Sequence, residues 1–429
     1  MSVLRIQPSG PLRGTVRPPS DKSITHRAYL LAAVVRGRSR VVDPLRGEDC
    51  EHTLACVEAM GARAEWLSSS EVLIHPTPEW RSPAGDLDCG NSGTTMRLLA
   101  GLIASRPIEA TLVGDASLTR RPMQRIAEPL RRMGAGVEGD RPPLRIRGAS
   151  LSGIDHFSAV ASAQVKSCLL LAGLRASGAT SVTEPWCSRN HTETMLRSVG
   201  VEVEESVGFA GHRVWVSGGA ILAPLDIAVP ADVSSAAFLM VAGALVSGSE
   251  VVLSDVGLNP TRSGILDVLD QAKVRYEVAN LRETGGEAVG DIRTWHTPQP
   301  RQFVIEGELV PRLIDEIPVL AVLATQCYGT TEIRDAAELR VKESDRIEKV
   351  ALGLRAMGAE VETFADGLAV AGPTRLRAAR VAADGDHRIA MAFAVAGLIA
   401  DGTTEIEGAE SIQTSYPAFE SDLASLMPI

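Results

Sequence analysis

Six apolar helical segments recur along the chain at equivalent points of a repeating pattern, and this repeat constrains the fold more than any other feature. Each is followed by a strand-like run and a second helix, and the first five also by further short strands. The segments cover residues 26–37, 94–105, 166–178, 234–248, 317–329 and 387–402. Because they are apolar nearly all round, we expect them to be fully buried. The pattern predicts an α/β fold built from βαβαββ repeats, with three buried helices at the centre of each domain.

The length of 429 residues favours two domains rather than one core. The sixth repeat lacks its closing strands, whereas residues 1–19 contain two strand-like runs outside any repeat. We therefore expect residues 1–19 to complete the sixth repeat. This predicts an N-terminal domain of residues 20–224 and a C-terminal domain of residues 1–19 and 225–429. Residues 281–300 are predicted to form a polar surface loop.

Composition excludes several classes of partner. The net charge is −10 and aromatic residues make up 4%, so we expect no nucleic-acid partner. The apolar helices are too short to cross a bilayer, and the N-terminus has no signal-like core, so we expect no membrane association and a cytoplasmic protein. The six cysteines have no metal-binding spacing and are typical of reduced thiols. Any anion site must be a local cationic pocket.

Polar motifs begin three of the apolar helices. Lys22, Ser23 and Arg27 lie at the first helix, and a glycine-rich turn that includes Gly93 lies at the second. The third helix begins at Ser162, Ala163 and Gln164. Helix starts carry partial positive charge and free N–H groups, which suits phosphate or carboxylate ligands. Each motif alone fits ordinary capping equally well.

Charged turns elsewhere are harder to explain as caps. Arg121 follows another arginine at a helix start, where it opposes the helix dipole. Residues 340–346 combine charges of both signs, including Lys342, Glu343 and Arg346, in a turn equivalent to those of Arg121 and Arg189. Asp315 precedes an apolar helix, which suits a cap or a base, and Arg388 heads another, where it needs an anionic partner.

Together these motifs resemble the 5-enolpyruvylshikimate-3-phosphate synthase family of enolpyruvyl transferases. The resemblance extends over essentially the whole chain, and the motifs occur in the family's order: DKSITHR, GNSGTTMR, LTRRPM, SAQVKS, LRVKESDR and DHRIAM. It implies two domains of threefold repeats with buried parallel helices, an inside-out α/β barrel. It also implies transfer of the enolpyruvyl group of phosphoenolpyruvate to the 5-hydroxyl of shikimate 3-phosphate, without a metal or organic cofactor.

The resemblance further implies the roles of individual residues. Shikimate 3-phosphate is expected to contact Lys22, Ser23, Arg27, Ser162, Ala163, Gln164, Arg189, Asp315 and Lys342. Phosphoenolpyruvate is expected to contact Lys22, Gly93, Arg121, Gln164, Arg346 and Arg388. Asp315 is the expected base on the 5-hydroxyl, and Glu343 the expected proton donor to the methylene carbon, assisted by Lys22. We also expect a monomer.

Two alternatives and one departure bear on this interpretation. The related UDP-N-acetylglucosamine enolpyruvyl transferases usually carry a reactive cysteine in a mobile loop, but the loop at Arg121 has none. A non-catalytic anion-binding or scaffold protein would not need Asp315 and Glu343 among its cations. Family members tolerant of the inhibitor glyphosate often have alanine where this chain has Gly93. We therefore expect alanine at this position to weaken inhibition.

Overall fold

The protein divides into two compact units, which a computed structural model describes for residues 2–77 and 79–428. We call residues 20–229 and 284–287 the N-terminal unit, and residues 1–19, 230–283 and 288–429 the C-terminal unit. Residues 225–229, which the sequence analysis assigned to the second domain, therefore lie in the N-terminal unit. Two strands of the C-terminal unit come first in the chain: β1 (Val3–Ile6) and β2 (Arg13–Val16).

The N-terminal unit contains three repeats of strand, helix, strand, helix and two strands. Its elements are α1 (Lys22–Ala32), β3 (Ser39–Val42), α2 (Glu48–Ala59), β4 (Arg63–Ser68), β5 (Glu71–His75), β6 (Leu87–Asp88), α3 (Gly93–Ala104), β7 (Glu109–Val113), α4 (Gln124–Met133), β8 (Gly136–Glu138), β9 (Leu144–Arg147), β10 (Asp155–Phe157), α5 (Ala163–Gly173), β11 (Ala179–Glu184), α6 (His191–Ser198), β12 (Val203–Gly208), β13 (Gly211–Ser217) and β14 (Asp226–Ala228). Each repeat forms a four-stranded sheet, in the orders β14-β3-β5-β4, β6-β7-β9-β8 and β10-β11-β13-β12.

The C-terminal unit follows the same plan. Its further elements are α7 (Val233–Leu245), β15 (Glu250–Gly257), α8 (Gly264–Gln271), β16 (Tyr276–Thr284), β17 (Glu287–Trp295), β18 (Val304–Ile305), α9 (Leu309–Leu313), α10 (Ile317–Ala324), β19 (Gly329–Ile333), α11 (Arg346–Ala356), β20 (Glu360–Phe364), β21 (Gly367–Gly372), β22 (Arg380–Ala382), α12 (His387–Gly397), β23 (Thr404–Glu407) and α13 (Phe419–Leu426). The sheets have the orders β16-β17-β15-β2, β18-β19-β21-β20 and β1-β23-β22.

The N-terminal strands correct one prediction. β1 pairs antiparallel with β23 and so completes the sixth repeat, as expected. β2 instead pairs parallel with β15 and supplies the first strand of the fourth repeat. In the N-terminal unit, β14 fills the corresponding place, since it pairs parallel with β3. Each unit thus takes the first strand of its first repeat from a segment distant in sequence.

The six apolar segments form the central helices α1, α3, α5, α7, α10 and α12. Every residue of α10 and α12 is buried, and α7 leaves only its last residue partly accessible. The prediction that these helices are buried is confirmed. Close packing explains a glycine here: a Cβ at Gly101 in α3 would lie 2.1 Å from the carbonyl oxygen of Cys168 in α5.

Residues 281–300 depart from the prediction of a surface loop. They form most of a hairpin in which strands β16 and β17 are joined by a turn at Gly285 and Gly286, both with positive φ. The exposed polar side chains of these strands hid the alternation on which a strand prediction depends. Among residues 2–77 and 79–428, no helix combines the length and apolarity needed to span a bilayer.

Candidate active site

The central helices of the N-terminal unit begin at capping side chains. Asp21, Ser92 and Ser162 each accept a hydrogen bond from the backbone N–H group three residues further along, at the starts of α1, α3 and α5. A cap satisfies only part of the free N–H groups of a first turn, and the helix dipole makes such a start electropositive. The predicted cationic residues of this unit therefore lie on or beside helix starts.

Lys22 and Arg27 both lie on α1 but have different partners. The Nζ atom of Lys22 is 3.0 Å from a carboxylate oxygen of Asp49, and its side chain is 16% exposed. Arg27 is buried and donates to the hydroxyl groups of Thr192 (2.7 Å) and Ser167 (2.9 Å). The guanidinium group thereby joins α1 to α6 and α5. Its Nη1 atom also donates to the carbonyl oxygen of Ser23.

Gly93, Arg121 and Gln164 lie together around Arg97, which the sequence analysis missed. Arg97 on α3 donates to the side-chain oxygen of Gln164 on α5. A Cβ at Gly93 would lie 2.6 Å from Nη1 of Arg97 and 3.4 Å from Nη1 of Arg121. Arg121 is buried and donates to the side-chain oxygen of Asn91. Arg97 follows Gly93 by four residues, one helical turn, and this spacing could have identified it.

Ser162 and the turn before Arg189 are hydrogen-bonded to the same buried carboxylate, that of Glu184. The carboxylate of Glu184 accepts from the backbone N–H groups of Ser162 (3.2 Å) and Ser188 (2.8 Å). Lys166, whose side chain is fully buried, donates to the same carboxylate at 2.8 Å. Burial lowers the pKa of Lys166, but Glu193 and Glu184 outweigh it and raise the pKa above its usual value. This ion-pair network holds the backbone of Ser162 and Ser188 in place. It thereby also positions the residues that follow them directly, Ala163 and Arg189.

A cavity of about 510 Å³ lies beside the cations of this unit. It is lined by Glu48, Asp49, His52, Asp88, Gly90, Asn91, Val113, Gly114 and Asp115. Four carboxylates among these residues make the cavity unsuited to a phosphate or carboxylate ligand. We therefore assign no anionic substrate to it.

In the C-terminal unit, Arg346 contacts both predicted acids, Asp315 and Glu343, and also Asp386. Its guanidinium nitrogens are 2.9 Å from Asp386, 2.9 Å from Asp315 and 2.8 Å from Glu343. Lys342 lies 3.6 Å from the same oxygen of Asp315. Burial lowers the pKa of Arg346, yet the carboxylates, Asp386 first, raise it above its usual value. All four predicted residues of this turn and of the start of α10 are thus in one cluster, together with Asp386, which the sequence analysis gave no role.

Arg388 lies next to this cluster in a different electrostatic setting. Asp386 caps α12 by accepting from the backbone N–H of Arg388 at 2.9 Å. Arg388 is 3% exposed as a residue, and its guanidinium carbon lies 5.8 Å from the ring centroid of Phe238. Its Nε and Nη1 atoms are buried without a hydrogen-bond partner among residues 2–77 and 79–428. A buried cation without a partner is costly, which favours an anionic ligand at this position.

A family model described as EPSP synthase (3-phosphoshikimate 1-carboxyvinyltransferase) matches residues 6–423. The chain belongs to this family. An EPSP synthase family relative from Desulfitobacterium hafniense is 47% identical over 423 residues, which cover 97% of this chain and 96% of the relative. One from Bacillus subtilis is 46% identical over 422 residues, with 97% of each chain covered. Both are named 3-phosphoshikimate 1-carboxyvinyltransferase.

Solved structures agree with the EPSP synthase family. The chain is similar to an EPSP synthase from Acinetobacter baumannii, with a TM-score of 0.87 and 40% identity over 99% of this chain and 98% of the other. The enolpyruvyl transferase NikO from Streptomyces tendae has a TM-score of 0.78 at 19% identity, over 99% and 97% of the two chains, and supports the fold alone. The predicted family and the predicted α/β fold class are both confirmed.

Proposed function

We propose that the cationic clusters described above hold the substrates of the EPSP synthase reaction. In this reaction the enolpyruvyl group of phosphoenolpyruvate passes to the 5-hydroxyl of shikimate 3-phosphate. The products are 5-enolpyruvylshikimate 3-phosphate and inorganic phosphate, and the step belongs to the biosynthesis of aromatic amino acids. Both substrates are polyanions, so the cations must offset their mutual repulsion before the reacting atoms can meet.

The buried Arg388 carries the proposal. Two of its guanidinium nitrogens lack hydrogen-bond partners within the described residues, although the side chain is almost inaccessible. A carboxylate or phosphate that accepts from these nitrogens would form strong charge-assisted hydrogen bonds. Asp386, which accepts from the backbone N–H of Arg388, is also one of the three carboxylates that Arg346 contacts. An anion bound at Arg388 would therefore satisfy these donors, and Asp386 connects the start of α12 to Arg346, which contacts Asp315 and Glu343.

Each substrate has its own proposed set of residues. For shikimate 3-phosphate, the proposed residues are Lys22, Ser23, Arg27, Ser162, Ala163, Gln164 and Arg189 of the N-terminal unit, with Asp315 and Lys342 of the C-terminal unit. For phosphoenolpyruvate, they are Lys22, Gly93, Arg121 and Gln164 with Arg346 and Arg388. Contacts support these groupings within each unit: Gly93, Arg121 and Gln164 surround Arg97, and Lys342 and Arg346 both contact Asp315.

Asp315 and Glu343 are the proposed acid–base pair. Glu343, as a carboxylic acid, gives a proton to the methylene carbon of phosphoenolpyruvate, with Lys22 assisting. The 5-hydroxyl oxygen then bonds to the neighbouring carbon while its proton passes to Asp315, which gives a tetrahedral intermediate. The Glu343 carboxylate then takes a proton back from the new methyl group, the bond between carbon and the phosphate oxygen breaks, and Asp315 gives its proton to the leaving phosphate. Arg346 contacts both carboxylates and so fixes their separation.

Conservative variants test these two roles. Asp315→Asn and Glu343→Gln keep the size of each side chain but remove its charge. We expect turnover to fall by about a hundredfold or more in each, while calorimetry still detects binding of shikimate 3-phosphate. Glu360→Gln, at an exposed position of β20, is the matched control and should retain normal turnover. Near-normal turnover in Asp315→Asn or Glu343→Gln would overturn the assignment.

We also infer that the chain acts as a monomer in a reducing compartment such as the cytoplasm. One copy supplies every residue of the proposed binding sets. All six cysteines are free thiols, which is typical of proteins kept under reducing conditions. Light scattering during size-exclusion chromatography should give a mass near 45.4 kDa; a stable dimer would contradict the first inference.

A further inference from the structure

A second group of reactive side chains lies in the N-terminal unit, at the end of the sheet β10-β11-β13-β12. Glu184 ends β11 and pairs in register with His212 at the start of β13, and Cys187 follows in the turn toward α6. One ligand-type atom of each residue lies within 4.8 Å of the other two. We call Glu184, Cys187 and His212 the thiol cluster. It combines a nucleophile, a base and a carboxylate, none of which the proposed reaction uses.

The contacts of Glu184 argue against a metal ion in the thiol cluster. Its carboxylate accepts from Lys166 (2.8 Å), from the backbone N–H and the hydroxyl of Ser188 (2.8 Å each) and from the backbone N–H of Ser162 (3.2 Å). Lys166 already supplies the balancing cation and has no exposed surface. A divalent ion would have to displace these donors. The available chemistry of the cluster therefore belongs to Cys187 and His212.

His212 has one oriented and one unsatisfied nitrogen. Its Nε2 atom is 3.0 Å from a carboxylate oxygen of Glu205, whereas Nδ1 is buried without a hydrogen-bond partner among the described residues. The whole residue is only 7% exposed. Interaction with Cys187, and secondly with Glu205, raises the pKa of His212 to about 10. The hydrogen bond from His212, followed by the contact of Arg197, lowers the pKa of Glu205 to about 2 although partial burial opposes this.

The order carboxylate, imidazole, thiol is that of an activated nucleophile with an oriented base. A cationic imidazole next to sulfur favours the thiolate, which is the reactive form of cysteine. Cys187 is also accessible: it is the partly exposed cysteine, while the other five are 2% exposed or less. The neighbouring Trp186 is 47% exposed, so the turn faces solvent.

We propose that Cys187 is a modification site, at which His212, oriented by Glu205, activates the thiol toward hydrogen peroxide and soft electrophiles. In the peroxide reaction sulfur reacts as the thiolate beside cationic His212, and bonds to one peroxide oxygen as the O–O bond breaks. The leaving hydroxide takes the proton from His212 and becomes water. Sulfur loses two electrons and ends as a sulfenic acid, and the peroxide gains them.

Modification of Cys187 affects Ser162 and Arg189, two of the residues proposed to contact shikimate 3-phosphate, through Ser188. Cys187 precedes Ser188 directly, and Ser188 shares the Glu184 carboxylate with the backbone N–H of Ser162. New atoms on the sulfur displace Ser188 and, with it, Arg189. This consequence rests on the proposed function, in which Ser162 and Arg189 contact shikimate 3-phosphate. It predicts a higher KM for shikimate 3-phosphate after modification of Cys187.

Thiol labelling tests the activation. The intact protein is treated with limiting iodoacetamide at neutral pH, and labelling of each cysteine is followed by peptide mass spectrometry. Cys187 should be labelled first, and His212→Gln should slow its labelling by about tenfold or more, with a smaller effect of Glu205→Gln. His75→Gln is the matched control, because His75 makes a similar contact of 2.9 Å to Glu65 and should leave Cys187 unaffected.

The outcomes are distinguishable. Labelling of Cys187 at the wild-type rate in His212→Gln would overturn activation and leave exposure as the only cause. A variant that fails to fold would label all six cysteines faster, the opposite of the expected change. With hydrogen peroxide, the sulfenic-acid reagent dimedone should add at Cys187 and not in Cys187→Ala; addition elsewhere would contradict the proposal.

A separate measurement tests whether modification of Cys187 and binding of shikimate 3-phosphate affect each other. Saturating shikimate 3-phosphate should slow alkylation of Cys187, and alkylated protein should need more of this substrate for half-maximal phosphate release. Unchanged alkylation and unchanged KM would overturn the link, while His212-dependent labelling would still stand. Absence of turnover in unmodified protein would instead count against the proposed function.

Discussion

Two buried arginines of the C-terminal unit differ at the scale of single residues. Arg346 contacts three carboxylates, so its charge is compensated within the fold. Arg388 is equally buried, but two of its nitrogens have no partner in the described part of the chain. Removal of a compensated charge leaves carboxylates unpaired, whereas removal of an uncompensated one relieves a desolvation cost. The two side chains should therefore respond oppositely to neutral substitution.

Arg388→Gln should weaken the use of phosphoenolpyruvate without harming the fold. We expect kcat/KM for phosphoenolpyruvate to fall by about a hundredfold, since charge-assisted hydrogen bonds contribute about 1.5–3 kcal/mol each. The melting temperature of the unliganded protein should stay the same or rise. Arg375→Gln, at an exposed position, is the control for both measurements. A lower melting temperature with unchanged kcat/KM would show that Arg388 has a structural role only.

His26 makes the stability of the N-terminal unit depend on pH. Burial, followed by the charges of Lys22 and Arg27, lowers the pKa of His26 well below its usual value. Below about pH 6.5 the unfolded chain binds a proton at this residue and the native protein does not. Stability is therefore fully present above that pH and falls as pH decreases, by up to about 1.4 kcal/mol per pH unit.

His26→Gln isolates this contribution. Chemical denaturation of wild type and variant at a series of pH values should show a steeper loss of stability in wild type between about pH 6.5 and 5. The other histidines are the same in both proteins and cancel in the comparison. Parallel pH profiles would contradict the prediction.

At the scale of helices and turns, many residues of the proposed substrate-binding sets lie at the starts of central helices. Asp21, Ser92, Ser162 and Asp386 cap four of these helices and hold their first turns in place. A short polar side chain is a good cap because its oxygen reaches a free N–H group. The same first turns carry the cations, so capping and ligand positioning depend on one backbone conformation.

The start of α3 gives a prediction for the inhibitor glyphosate. Gly93 has an ordinary φ, so alanine is compatible with the backbone, but its methyl group would press on the guanidinium groups of Arg97 and Arg121. We expect Gly93→Ala to raise the glyphosate concentration needed for half-maximal inhibition. Gly85→Ala is the control, because a Cβ there meets nothing within 4 Å. An unchanged inhibition curve in Gly93→Ala would contradict the prediction.

The sequence predicted the helices better than the pairing of strands. An apolar pattern over all faces identifies a buried helix locally, as for α7, α10 and α12. The partner of β2 could not be found in this way, because β15 lies more than two hundred residues away and short strands carry no label of their neighbour. The prediction of a surface loop at residues 281–300 was wrong because partly exposed strands resemble polar loops in a single sequence.

The candidate site was predictable where a motif was charged and unusual. Asp315, Lys342, Glu343 and Arg346 stood out by charge, and their contacts join them in one cluster. Arg97 was missed because an arginine within a helix is normally solvated, and only the tertiary contact with Gln164 distinguishes it.

At the scale of the whole molecule, each unit is closed by a segment distant in sequence. The C-terminal unit needs residues 1–19: Ile6, Leu12 and Val16 belong to its core. Leu12 is fully buried and exchanges contacts with residues 249 and 250 through its backbone. Loss of the Leu12 side chain should therefore destabilise the region around residues 249 and 250, and not the segment that directly follows residues 1–19.

Leu12→Ala tests this closure. We expect the free energy of unfolding of the C-terminal unit to fall by about 2–5 kcal/mol. Hydrogen exchange should become faster in α7 and β15 and stay unchanged in α1 and β3. Val3→Ala, in the same segment but 41% exposed, is the control. Faster exchange confined to residues 20–229 would contradict the assignment of the N-terminal strands.

Initial-rate measurement of phosphate release tests the central claim most directly. Wild-type protein should release phosphate only when phosphoenolpyruvate and shikimate 3-phosphate are both present. Arg388→Gln should lose most of this rate at subsaturating phosphoenolpyruvate, and Arg375→Gln should keep it. Phosphate release that needs one substrate alone, or an Arg388→Gln rate equal to wild type, would contradict the account.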